Sequence, residues 1–417
     1  MTIVYFALAL ICFFVIYIKS QQDVLHPVAI MSSVWFVTAA ISSLGWGVFQ
    51  HQWSIIVHIN ILLSGLVCLL FGCVFLSISR KVFVSNNLLD DRSYSSPIND
   101  TYILVTRLVL IVTIILAFVI FTRRGISINV LRSFSGSDKK GEISKALEDL
   151  SSAESYIVNL FPYCAIFSFF EIFHSKKGQR HIVFNVIVIL LVIVYCLKVI
   201  YSRGTLLYLL LGFLYIINSK KRIPIKFLAV ALIGILVVFG IFMRSRVYSG
   251  SIIYTGVDHL SNPILVSAYN YIAYSFENFS LIVEKGSRLN MFTNVFQSFY
   301  KLLGIYNPDQ VVQSEVADVY NSITWLSNFY DDIGFVGTII YPSIISILLS
   351  FFYNKSKSNK FFVLVLAVLQ KPIFVVFFGN YFFTSLSVMF PYFVTGLICF
   401  LSSKINIVLP RSRYAND

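Results

Sequence analysis

Charge is scarce along this chain, and carboxylates are scarcest. Only 12% of its 417 residues are charged, 19 acidic against 32 basic, while 58% are hydrophobic. No water-soluble core of this size requires such a composition, so lipid is the expected solvent. Long segments of alternating apolar and polar residues are missing. That excludes a membrane barrel, and the continuous Leu, Ile, Val and Phe runs leave helices as the spanning element. There is no P-loop, HExxH, GxSxG or metal-ligand cluster, which disfavours ATP-driven transport and metalloprotease chemistry; no cofactor and no metal are expected. Cys12, Cys68, Cys73, Cys164, Cys196 and Cys399 lie inside apolar runs without a CxxC pair and read as small hydrophobes. The net charge of +13 is spread between the spans and not gathered on one soluble face, so nucleic acid is not an expected partner. The first apolar run lacks both a basic flank and a small-residue cleavage site, and is expected to remain as a span.

A spanning helix needs about 20 mostly apolar residues to cross about 30 Å of hydrocarbon. Runs near 2–18, 27–49, 54–79, 102–122, 155–173, 182–200, 204–218, 225–243, 333–353, 361–378 and 381–402 meet or approach that length. The expected fold is therefore all-α and polytopic, a single membrane domain over 1–417 with about eleven helices. Lys176, Lys177 and Arg180, then Lys220, Lys221, Arg222 and Lys226, then Lys355, Lys357 and Lys360 occupy loops that fall on one side of such a topology. Arg80, Lys81, Lys404, Arg411 and Arg413 fall there too. Basic residues resist translocation, so that side is expected to be cytoplasmic, with the C-terminus inside. Two segments are exported, a smaller one over 123–154 and a large one over 244–332. The large one reads as amphipathic helices on the membrane, with Pro263 and Pro308 as breakers.

Charged and polar groups at the outer boundary are the candidates for chemistry, because each is costly there unless paired, solvated or bound. In Ser202-Arg203-Gly204, Gly204 allows close backbone approach and Arg203 presents a planar fork suited to phosphate oxygens. Arg244 and Arg246 follow the eighth span on the outer side, against the positive-inside trend. With Arg203 they would clamp a lipid diphosphate; headgroup anchoring is the equally weighted alternative. In the run Trp325 to Gly337, Trp325 and Tyr330 are candidates for stacking on sugar faces. Asp331 and Asp332 are candidates for pairing with arginine or, for Asp332, for taking a hydroxyl proton, while one of the two is expected to cap a helix N-terminus. His259 and Glu277 compete with Asp332 as base. Glu277 follows Tyr269, Tyr271, Tyr274 and Phe276, whose spacing equally fits a packed helical face. Lys371 lies midway along the tenth span, where it is expected to face the interior or a wet cavity; Glu171 or another buried acid is a candidate partner.

The Ser202-Arg203-Gly204 turn, the Arg244 to Gly250 exit, the long external loop and the closing Tyr330-Asp331-Asp332-Ile333-Gly334-Phe335-Val336-Gly337 segment, in that order, resemble the Wzy-type oligosaccharide repeat unit polymerases of bacterial O-antigen and capsule pathways. The motifs cover roughly residues 190–345, and the likeness in topology, length and loop placement covers the whole chain. The resemblance implies a metal-independent glycosyltransferase in the bacterial inner membrane. It would move a growing glycan from its undecaprenyl diphosphate carrier onto a newly flipped, lipid-linked repeat unit at the periplasmic face. Implied partners are that lipid-linked oligosaccharide, membrane lipids and, as a candidate, a chain-length regulator. The related O-antigen ligases use a loop histidine, and His259 matches no pattern of theirs. A flippase of lipid-linked oligosaccharide is the alternative from another class, and would share the buried Lys371 and Glu171.

Overall fold

In the computed structural model the described residues are 1–85, 98–125, 150–175, 181–198, 203–227, 257–290, 292–305, 322–383 and 385–405. Among them the chain is helical, with two isolated β-bridges and no strand. The first four helices are α1 (Thr2–Lys19), α2 (Pro27–Ser42), α3 (Ile55–Ser85) and α4 (Asp100–Arg123). They are followed by α5 (Ser152–Leu160), α6 (Tyr163–His174), α7 (Ile182–Lys198) and α8 (Arg203–Lys220). The remainder of the chain forms α9 (Pro263–Lys285), α10 (Gln297–Leu302), α11 (Trp325–Ile333), α12 (Gly337–Ser356), α13 (Phe361–Val368), α14 (Gln370–Phe374) and α15 (Leu386–Lys404).

Local chemistry accounts for many of the boundaries. The Asn99 side chain caps α4 by accepting from the Tyr102 N–H, and Ser151 with Glu154 forms a capping box at the start of α5. Pro162 separates α5 from α6. Pro27 and Pro263 each occupy the first turn of a helix, where a missing N–H costs nothing, so the expected breaker at 263 is a helix start.

Six stretches are long and apolar enough to cross a membrane: Thr2–Lys19, Ile55–Ile78, Asp100–Arg123, Ser152–His174, Trp325–Ser356 and Leu386–Lys404. Pro27–Ser42, Ile182–Leu197 and Gly204–Lys220 are apolar but shorter. The expected span over 27–49 stops at Ser42, where Ser43, Gly45 and Gly47 turn the chain. The one over 361–378 is two short helices broken at Leu369, close to Pro372, and the one over 381–402 starts at Leu386. Beyond residue 227, the expected eighth span lies outside the described residues.

The chain divides into two compact units. One comprises Met1–Leu88, Ile223–Asn354 and Gln370–Leu386. Within it α1 packs on α2 and α3, and α9 packs on α2, α3 and α11. Trp35 stacks obliquely on Phe276 and meets Trp325 edge-on. Thr338 bonds Asn60 at 2.8 Å and Ser346 donates to the Cys68 carbonyl at 2.8 Å, fixing α12 against α3. Expected to lie as an amphipathic helix on the membrane, α9 instead buries Glu277, Asn278, Ser275 and Ser280 together with its aromatic residues. Those polar groups are partnered inside the unit, as Asn278 donating to the Ser322 carbonyl illustrates, and this lets most of the helix circumference leave the surface.

The other unit comprises Leu89–Arg222, Lys355–Leu369 and Ser387–Asp417. There α6 packs on α4, α7, α8 and α13. Arg107 of α4 donates to Glu171 of α6 at 3.0 Å, so Arg107 is the partner found for that buried carboxylate.

Candidate functional site

The segment between α2 and α3 is pinned to α9 by polar contacts that no short-range pattern announces. Asp258 N–H donates to the Trp46 carbonyl, and Gly47 and Val257 form a bridge. The Tyr269 hydroxyl accepts from the Trp46 N–H and donates to Gln50 Oε1, while Gln50 Nε2 returns to the Ser42 carbonyl. Val257, Val266, Tyr269 and Ala273, with Trp46 and Leu260 against them, form an apolar cluster under this turn. The turn then delivers His51 and Trp53 to the polar face of α9.

There the Glu277 side chain is fully buried and holds three groups. Trp53 Nε1–H donates to Oε2 at 3.0 Å, while the His51 backbone N–H and the His51 ring Nδ1 both meet Oε1. The other ring nitrogen, Nε2, lies 3.1 Å from Oε2 of Glu284, two turns along α9. Ser280 donates to the second oxygen of Glu284 at 3.4 Å. Burial pushes the Glu277 carboxyl above the ordinary carboxylate range; the Trp53 hydrogen bond and the nearby His51 pull it down without cancelling the rise. A carboxylate so placed takes a proton more readily than a solvated one, and the half-exposed imidazole connects it to the surface.

A second carboxylate site joins α11 to the chain after α9. Asp331 is gripped by Arg288 through Nε and Nη2 at 2.9 and 2.8 Å, and also by Asn290 and Asn294. Asp332 accepts from the backbone N–H groups of Asn294 and Val295, each at 2.9 Å, and from Asn294 Nδ2. With both carboxylates buried, these contacts tie the residues after α9 to the end of α11. The expected capping role is corrected here. Both aspartates occupy the last turn of α11, where an acid cannot satisfy free N–H groups of its own helix, and Thr324 holds the N-cap position.

The remaining candidates are dispersed. Trp325 is a core residue, edge-on to Trp35 and Phe329, with its indole N–H unpartnered. Tyr330 is buried too and donates to the Val283 carbonyl at 3.3 Å, so neither ring offers a free face for a sugar. His259 sits in an exposed left-handed turn against the edge of Trp46, with no carboxylate contact among the described residues. The Lys371 ammonium lies 4.6 Å over the Tyr381 ring, and the acid first paired with it, Glu171, bonds Arg107. Arg203 and Gly204 open α8, and Arg244 and Arg246 lie outside the described residues. Among the described residues no group of three or more His, Cys, Asp or Glu side chains is arranged to hold a metal ion.

His51, Trp53, Glu284, Arg288, Asn290 and Asn294 were not singled out from sequence. His51 and Glu277 are 226 positions apart, and one histidine in a short turn carries no signal of a partner at that distance. Comparison with protein-family models, curated proteins and solved structures finds no match.

Proposed function

We propose that this chain is a polymerase of undecaprenyl-diphosphate-linked oligosaccharide repeat units, a metal-independent membrane glycosyltransferase working at the outer face of a bacterial inner membrane with its C-terminus inside. The observation that carries the reading is the Glu277 carboxylate, buried yet joined through His51 to the surface. Polymerisation needs a base for the acceptor hydroxyl and a counter-charge for the departing diphosphate. Glu277 is the base in this reading, and Arg203, Arg244 and Arg246 are assigned to the diphosphate. Of the three competing bases, Asp332 and Glu277 each hold three groups, but those on Asp332 come from a buried turn whereas Glu277 meets a half-exposed imidazole, and His259 meets Trp46 edge-on with no carboxylate contact among the described residues. The eleven-span topology belongs to the same proposal: it puts His51 and Glu277 on one side and the lysine-rich loops on the other.

The Arg107–Glu171 pair between two apolar helices, its carboxylate fully buried, favours a second reading, a flippase of the same lipid-linked oligosaccharide, since intramembrane charge is a hallmark of carriers. Surface polysaccharide from a deletion strain, resolved on a gel beside complemented strains, separates the two. Lipid carrying a single repeat unit in the deletion, restored to a ladder by wild type but not by Glu277→Gln or Arg244→Ala at equal expression, is the polymerase outcome. Loss of even the single-unit band moves the reading to the flippase or another earlier step. A normal ladder in the deletion strain refutes both.

A further inference from the structure

His51 is the only described side chain that meets two carboxylates through its two ring nitrogens, and the carboxylates differ sharply in exposure. Glu277 is fully buried, whereas the Glu284 side chain is 35% exposed and the His51 side chain 39% exposed. A base closed off from water must shed each proton it captures before the next turnover, and its hydrogen-bond partner with solvent access is the natural route. A metal explanation fails on geometry, because Nδ1 and Nε2 diverge and their two carboxylates share no common point.

Resting on the polymerase reading, we propose that His51 is the positioning residue that orients Glu277 and carries its proton out to water, with Glu284 as the anchor that holds the ring. In the transfer step the acceptor hydroxyl oxygen bonds to the anomeric carbon, and the bond from that carbon to the carrier diphosphate breaks with its electron pair leaving on the phosphate oxygen. The hydroxyl proton passes to Glu277 and then to neutral His51. The resulting imidazolium is held between two carboxylates until its proton leaves to water, so one proton enters the site and one leaves. The titratable groups facing Glu277 are His51 from the preceding turn, with Glu284 and Tyr269 from α9 itself. His58 of α3 stands behind Trp53 and is bonded to the Tyr5 hydroxyl.

The test uses the purified full-length protein in liposomes, supplied with lipid-linked repeat units extracted from the deletion strain. His51→Ala is expected to lower polymer formation at neutral pH about tenfold, and added imidazole to restore much of it, since the ring position is open to solvent. His51→Gln removes the imidazole that pulls the Glu277 carboxyl down, so the acidic limb of the rate profile is expected to move to higher pH. Glu284→Gln touches only a partly exposed side chain, should fold normally, and is expected to slow the reaction. Variants whose rates and pH profiles overlay wild type, with no response to imidazole, overturn the inference alone. Failure of the wild-type protein to polymerise at any pH overturns the polymerase reading and this inference with it.

Discussion

Asp332 and Glu277 are both buried carboxylates on the same unit, yet their surroundings differ. Asp332 spends its lone pairs on two backbone N–H groups and an amide of the 293–295 turn, so neutralising it removes acceptors from groups that cannot reach water. Asp332→Asn is therefore expected to cost about 1–3 kcal/mol per abandoned donor. It should appear as loss of detergent-stable protein in a thermal-shift measurement, and normal melting would reopen its candidacy as the base. Glu277→Gln keeps one acceptor, enough for Trp53 but not also for the His51 N–H on the other oxygen; His51 is half-exposed and its N–H can turn to water, so the loss is expected to be smaller. Gly337 makes a second residue-level demand. A Cβ there would run into the Phe329 carbonyl oxygen and the Ile333 side chain, so Gly337→Ala is expected to destabilise by roughly 1–3 kcal/mol, read in the same assay.

Among elements, the decisive joint is the one between the 43–54 turn and α9. Its donors and acceptors converge on Gln50, which accepts from Gly47 and Tyr269 and donates to the Ser42 carbonyl. Gln50→Ala should loosen the turn that carries His51 while leaving Glu277 and its helix in place. The expected result is weaker polymer formation with little change in expression, and unchanged polymer formation would show that the turn is held by its apolar cluster alone. The Arg288–Asp331 pair plays a comparable part for the 286–296 turn. Since Asn290 and Asn294 would still hold the aspartate, Arg288→Ala should cost only about 1–3 kcal/mol.

For the whole molecule, the question is which ends of the helices share a side. Within the first unit, α12 has the Asp331–Asp332 site before its first turn. Near its other end Tyr353 donates to Asp23, in the turn after α1, at 2.8 Å. Twenty residues rise about 30 Å, so these two sites lie at opposite ends of one bilayer-length helix. Cysteines introduced at Ser287 and at Gln22, in a background cleared of the native six, should be labelled by a membrane-impermeant maleimide from opposite sides of the membrane. The proposed eleven-span topology has Ser287 outside. Labelling of both from one side would refute the assignment.

Composition alone determined that the chain is helical and lives in lipid, because apolar runs of spanning length have no other solvent and no barrel alternation. Several helix starts were likewise local matters of Asn262 before Pro263 and of the proline between α5 and α6. Glu277 was readable as a candidate, yet its rank above Asp332 and His259 was not, for all three are polar residues in an apolar sequence. Tertiary structure supplied the difference on which the proposed rank rests, carrying His51 and Trp53 across 226 and 224 positions to one carboxylate while handing Asp332 to a backbone turn. The physical reason is that hydropathy acts along the chain, residue by residue, whereas a buried carboxylate's role depends on which donors reach it, and those are chosen by packing between distant segments.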